Sequence, residues 1–189
     1  MEFGAIILSG GRSSRFGRDK GLYHLNQKNM VEYAIDLAQE FASELIISAN
    51  HEQYEQFGYP VIEDTYPNIG PMGGLYSAIN ASKLNVNLIL PCDSPLISVE
   101  LIQKLIKNYH NEEVVIFKTS DGKLHPLIGF YHKNILNDLL DHIQNKNLKL
   151  ISFILTRNHK IIEIDHQSHL NKCFQNFNYE NDIINYLKG

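Results

Sequence analysis

Gly10 and Gly11 follow the apolar run Ala5-Ile6-Ile7-Leu8-Ser9 and precede Arg12, Arg15, Arg18 and Lys20. Glycine lets backbone N–H groups come close to an anion, and the cations add mobile positive charge beside those fixed dipoles. A strand that breaks into such a loop can hold a polyphosphate. Two familiar phosphate loops do not fit: Gly17 is followed by Arg18 and Asp19 rather than by Lys and Ser or Thr, and G-x-G-x-x-G is absent. Read alone, the segment also admits a tight turn with solvated basic side chains.

Asp93 is the strongest acidic candidate, since it follows Leu88-Ile89-Leu90-Pro91-Cys92 where a parallel sheet presents its ligands. A carboxylate there can hold a divalent cation such as magnesium, which keeps several waters and takes one or two protein carboxylates together with substrate phosphates. Its alternative is to cap a helix starting near Val99, for which Ser98 is better placed. Lys20, with Arg15 second, is the candidate for neutralising phosphate charge. No nucleophile elbow or Ser/His/Asp arrangement is present. The histidines are scattered without zinc-site spacing, and Cys92 reads as a small buried strand residue rather than a nucleophile.

These residues need elements to bring them together. Strand-like runs occur at Ala5 to Leu8, Leu45 to Ser48, Val61 to Ile62, Leu88 to Pro91, Val114 to Phe117, Leu127 to Tyr131 and Ile161 to Ile164. Between them lie helical patterns at Met30 to Phe41, Met72 to Ala81, Val99 to Tyr109, Asn134 to Ile143 and Tyr179 to Leu187. Alternation of this kind predicts an α/β three-layer sandwich, Rossmann-like, around a mostly parallel sheet. The first loop, the loop after Ile62 and the loop after Leu90 then share one rim. Residues 165–172 read as a mobile polar loop, and no linker divides residues 1–189, which are expected to form a single domain.

The chain has 189 residues, enough for a sizeable core, and its net charge of -4 argues against a general nucleic-acid binder. The basic cluster is therefore a local anion site. Two distant cysteines and the lack of a long apolar run point to a reduced cytoplasmic protein with no membrane segment.

The first loop resembles the L-[AS]-G-G-x-S-x-R-[MF]-G-x-x-K signature of nucleotidyltransferases of the MobA type, the molybdenum cofactor guanylyltransferases. Val61-Ile62-Glu63-Asp64, Gly70-Pro71-Met72-Gly73-Gly74, Pro91-Cys92-Asp93-Ser94-Pro95, His125-Pro126 and Asn176-Phe177-Asn178-Tyr179-Glu180 follow in that family's order and approximate spacing. Ser9 and Phe16 are mild departures from the usual alanine and methionine.

The resemblance implies a nucleotide-diphospho-sugar transferase-like fold and transfer of GMP from GTP to the phosphate of molybdopterin or Mo-molybdopterin, with Mg2+ on Asp93. It implies nucleotide binding by Leu8, Ser9, Gly10, Gly11, Lys20, Asn50, Asp64, Gly70, Gly74 and Asp93. Gly70 and Gly74 would let acceptors approach the guanine N–H donors; read alone, Gly73 and Gly74 merely open a helix. Asn176 and Asn178 would border the pterin, or cap the helix after Tyr179. Lys149 and Arg157, which could meet the pterin's phosphate, read better as solvated surface.

The attacking group would be a phosphate monoester with a second pKa of about 6, already charged at neutral pH and in need of no general base. Molybdenum-cofactor insertion proteins and acceptor molybdoenzymes are the implied protein partners. The glycine pair Gly10-Gly11 resembles guanylyltransferases, whereas cytidylyltransferases and sugar-phosphate nucleotidyltransferases typically carry alanine then glycine. A CTP-using or sugar-phosphate enzyme, and a non-catalytic nucleotide-binding module on the same fold, are the alternatives.

Overall fold

A computed structural model of the chain describes residues 1–10, 19–177 and 182. After β1 (Gly4–Leu8) a small ribbon, β2 (His24–Leu25) and β3 (Lys28–Asn29), leads into helix α1 (Met30–Gln39). Then come β4 (Glu44–Ser48), β5 (Val61–Ile62), α2 (Pro71–Ala81), β6 (Val86–Pro91) and α3 (Val99–Asn108). The remainder is β7 (Val114–Lys118), β8 (Leu124–His132), α4 (Leu136–Gln144), α5 (Leu150–Ile154) and β9 (His159–Glu163), followed by a 3-10 turn at His169–Phe174. The large sheet has 7 strands in the order β5-β4-β1-β6-β8-β7-β9.

Strands buried on both faces must be apolar throughout, and β1, GAIIL, is buried at every position. Alternate side chains sort to the two faces. Ala5, Ile7, Ile47, Leu88, Leu90 and Phe117 pack with Val31, Ala34 and Ala38 of α1 and Leu101, Ile102 and Leu105 of α3. Ile6, Leu8, Ile46, Ile89 and Ile116 pack instead with Met72, Leu75 and Ile79 of α2, Leu139 and Ile143 of α4, and Phe153 of α5. This is the three-layer sandwich the alternation predicts.

Four details differ from the sequence reading. β8 is antiparallel to both β6 and β7, because a hairpin at Thr119 to Lys123 reverses the chain. The segment 165–172 is no loose loop: Asn171 Nδ2 donates to the carbonyls of Asp165, His166 and Ser168, and Leu170, Cys173 and Phe174 are buried. The helix expected from Asn134 starts as a 3-10 turn at Lys133–Ile135. β2, β3 and α5 were not anticipated, being too short for a periodic signal. The helix expected at Tyr179 to Leu187 lies outside the described residues, apart from Asp182. Among those described, no helix is long and apolar enough to cross a membrane, and Cys92 and Cys173 are free and buried.

Candidate functional site

The parallel strands β5, β4, β1 and β6 end together, and backbone bonds continue past their ends. The Ser9 N–H donates to the Ser48 carbonyl at 2.8 Å, Cys92 to Leu8 at 3.1 Å and Ala49 to Ile62 at 3.1 Å. The loops that follow thus start from one fastened edge, around a cleft of about 500 Å3. Leu8, Ser9, Gly10, Lys20, Asn50, Asp64, Gly70, Gly74 and Asp93, all singled out from sequence, line it. Ser48, Asn68, Pro91, Cys92 and Leu127 line it as well and were not assigned a binding role. The strand ends carrying Ser48 and Pro91 could have shown two of them; Leu127 could not be found without knowing that β8 is reversed.

At one end Lys20 Nζ lies 3.4 Å from Asp93 Oδ2, with both side chains largely buried. That separation is long for a charge-assisted hydrogen bond, and both groups line the cleft. Asp93 does not cap α3; the Ser98 hydroxyl does, accepting the Leu101 N–H at 3.4 Å. The carboxylate is left to the cleft. A magnesium ion that brings its own waters and substrate phosphate oxygens fits this donor set, and no group of three ligating side chains occurs among the described residues.

At the other end Asn50 and Asp64 brace each other. The Asp64 N–H donates to Asn50 Oδ1 at 2.9 Å, and Asn50 Nδ2 donates to Asp64 Oδ2 at 3.3 Å. Asp64 Oδ1 is buried without a partner among the described residues, and burial raises this carboxyl above the usual carboxylate range. The unpartnered oxygen can accept an N–H from a ligand, a bond that would favour the ionised form which burial disfavours. The glycines make the approach possible: Gly70 caps α2 with φ +75°, and a Cβ on Gly74 would stand 2.6 Å from Ser48 Oγ and 3.1 Å from Asp64 Oδ1. Gly73 and Gly74 therefore sit inside the first turn of α2, and their small size is a matter of clearance as much as of helix initiation.

Other candidates fall elsewhere. Asn176 Oδ1 accepts the Ser94 hydroxyl at 3.0 Å, and the Phe177 N–H donates to the Asp93 carbonyl at 2.8 Å, so this segment is fastened to the Asp93 loop. Arg15, Gly11 and Asn178 lie outside the described residues. His125 is away from the cleft, its Nε2 2.9 Å from Thr119 Oγ1 and its ring against Phe174, and burial lowers its pKa from 6.5 to about 4. Cys92 is at the cleft wall, where burial pushes the thiol up to about 12 and keeps it a poor nucleophile. Arg157 pairs with Asp138 at the start of β9, the edge opposite the cleft, and Lys149 is exposed before α5.

Comparison with known proteins agrees with this geometry. A family model described as the MobA-like NTP transferase domain matches residues 5–161. A probable molybdenum cofactor guanylyltransferase of Flavobacterium johnsoniae is 36% identical over 160 residues, covering 85% of this chain and 84% of that protein. A molybdenum cofactor guanylyltransferase of Vibrio vulnificus is 30% identical over 185 residues, 96% of this chain and 93% of its own. Among solved structures, a protein of Aquifex aeolicus superposes with TM-score 0.79 at 27% identity, covering 93% of each chain. Molybdopterin-guanine dinucleotide biosynthesis protein A of Archaeoglobus fulgidus gives 0.80 at 18% identity, covering 97% and 96%, a likeness of fold. With a nucleotidyltransferase rim built from its own residues and a family match over most of its length, the chain belongs to the MobA-like NTP transferases.

Proposed function

We propose that this nucleotidyltransferase, a single domain over residues 1–189, is a molybdenum cofactor guanylyltransferase. It transfers GMP from GTP to the phosphate of molybdopterin or Mo-molybdopterin and releases pyrophosphate. The observation that carries the reading is the Lys20–Asp93 pair, 3.4 Å apart, at one end of a cleft whose other end presents Asp64. The curated relatives described above bear guanylyltransferase names, which favours GTP over CTP and favours an enzyme over a non-catalytic module.

In this reading a phosphate oxygen of the pterin forms a bond to the α-phosphorus of GTP as the bond to the bridging oxygen breaks, and that oxygen leaves with the electron pair on pyrophosphate. Lys20 and the first loop, with Arg15, stabilise the negative charge that develops, and Asp64, braced by Asn50, accepts from the guanine edge. Gly70 and Gly74 give the base its clearance, while Asn176 and Asn178 border the pterin. Asp93 would hold magnesium, which when bound would supply further neutralisation of the phosphates.

The test is pyrophosphate release with magnesium and a molybdopterin-type acceptor, offering GTP, CTP, ATP and UTP in turn beside an acceptor-free control. Acceptor-dependent release with GTP alone is expected, and Asp93→Ala should lower it by about 10³-fold while the circular dichroism stays native. Release with CTP instead would move the assignment to a cytidylyltransferase.

A further inference from the structure

Tyr54 is fully buried, yet its hydroxyl is engaged, donating to Asp19 Oδ1. The same oxygen accepts the Gly21 N–H at 3.0 Å, and His51 Nε2 lies 3.7 Å from the other one. Lys20 is therefore bracketed by two residues that a single carboxylate ties together. The Lys20 carbonyl accepts from the Tyr23 N–H at 3.1 Å and the Gly21 carbonyl from Val31 at 2.9 Å, which joins the turn to the start of α1. Gly21 explains how the phenol reaches its partner, since a Cβ there would overlap the Tyr54 oxygen.

Packing accounts for the ring but not for the hydroxyl. Phenylalanine would fill the same space among Phe57 and its neighbours without needing a buried acceptor. Burial raises the phenol well above its ordinary range, so it remains a donor throughout any working pH. Tyr54 stands in the 3-10 turn Glu52–Phe57, on the loop after β4 that also carries Asn50. One loop thus braces both ends of the cleft, through Asn50 at Asp64 and through Tyr54 beside Lys20.

We propose that Tyr54 is a positioning residue for nucleotidyl transfer: its hydroxyl fixes the Asp19 carboxylate and with it the Asp19-Lys20-Gly21 turn that directs the Lys20 ammonium at Asp93. The inference rests on the reading of Lys20 as the cation that neutralises phosphate. Lysine is a point charge on a flexible four-carbon stem, so a fixed backbone at its base removes much of the freedom that would otherwise dilute its effect.

The experiment is a double-mutant cycle on the full chain, with Tyr54→Phe, Lys20→Ala and the double variant compared with wild type in pyrophosphate release. Steady-state runs give kcat and KM, single-turnover runs with enzyme in excess confirm the rates of slow variants, and thermal midpoints are recorded alongside. Tyr54→Phe should lower kcat about tenfold, leave KM for the acceptor unchanged and move the midpoint by less than about 3 °C. In the Lys20→Ala background it should add nothing. Wild-type kcat in Tyr54→Phe beside a crippled Lys20→Ala would overturn the proposal, as would an equal tenfold loss in both backgrounds. Full activity in Lys20→Ala would instead sink the reading of Lys20 itself. Should Tyr54→Phe lose its fold, Asp19→Ala leaves the aromatic core intact and carries the same cycle.

Discussion

Gly74 shows how a missing methyl group shapes the cleft. A Cβ there would overlap Ser48 Oγ at 2.6 Å and press on Asp64 Oδ1 at 3.1 Å, so Gly74→Ala must displace the Ser48 hydroxyl and shift Asp64 or the first turn of α2. Overpacking of this kind costs about 1–3 kcal/mol of stability, and GTP affinity, read by equilibrium titration, should fall by about tenfold. Unchanged affinity would show that Asp64 does not need its present position to bind the base. At this scale much of the site was legible: Asp93 comes directly after a short apolar run, Asp64 one residue after another, and Lys20 closes the glycine-rich loop after a third, so all three belong at the carboxyl edge of a sheet. Tyr54 was not, because a hydroxyl in a turn after a strand reads as ordinary until its partner, Asp19, is known.

The hairpin β7–β8 and the 3-10 turn at His169–Phe174 form one unit around His125. Burial lowers the pKa of His125 from 6.5 to about 4, with the Lys123 amine adding to the effect. The unfolded chain therefore takes up a proton between about pH 6.5 and 4 that the folded chain refuses, and stability is lost as pH falls through that window. A plot of thermal midpoint against pH should show this acid limb, and His125→Gln should flatten it without altering the midpoint's behaviour above pH 7. An identical limb in the variant would assign the acid sensitivity to other groups. Asp121-Gly122, with Gly122 at φ +84°, was the available signal for this hairpin and hence for the reversed strand. The strand-like run at Leu127 to Tyr131 hid it, since the centre of a reversed strand is as buried as β6 and β7 on either side. The 3-10 turn was hidden by its polar composition, which its Asn171 bonds to three carbonyls satisfy locally.

Across the whole molecule, the mostly parallel sheet and the shared rim follow from the sequence, but the strand order and the closure of the rim by a distant segment do not. Phe177 is fully buried with Leu25 and Met30, with Tyr23, Tyr33 and Leu96 against them. It joins the ribbon after the Lys20 turn to the loop after Asp93, two regions that the sheet alone does not connect. Phe177→Ala should cost about 3–5 kcal/mol, visible in denaturant melts, and should reduce turnover in the surviving folded protein. Full turnover per folded molecule would mean that the Asp93 loop holds its shape unaided.

The clamp from Asn176 and Phe177 onto that loop also sets an order of events during synthesis. Chains are made and begin to fold from the amino end. Ser94 leaves the ribosome well before its partner Asn176, 82 residues further on. The strands that lead into Lys20 and Asp93 can pair in the meantime, while the loop after Asp93 still lacks its final fastening. A polypeptide stalled short of Phe177 would be largely folded in its sheet and idle in its chemistry.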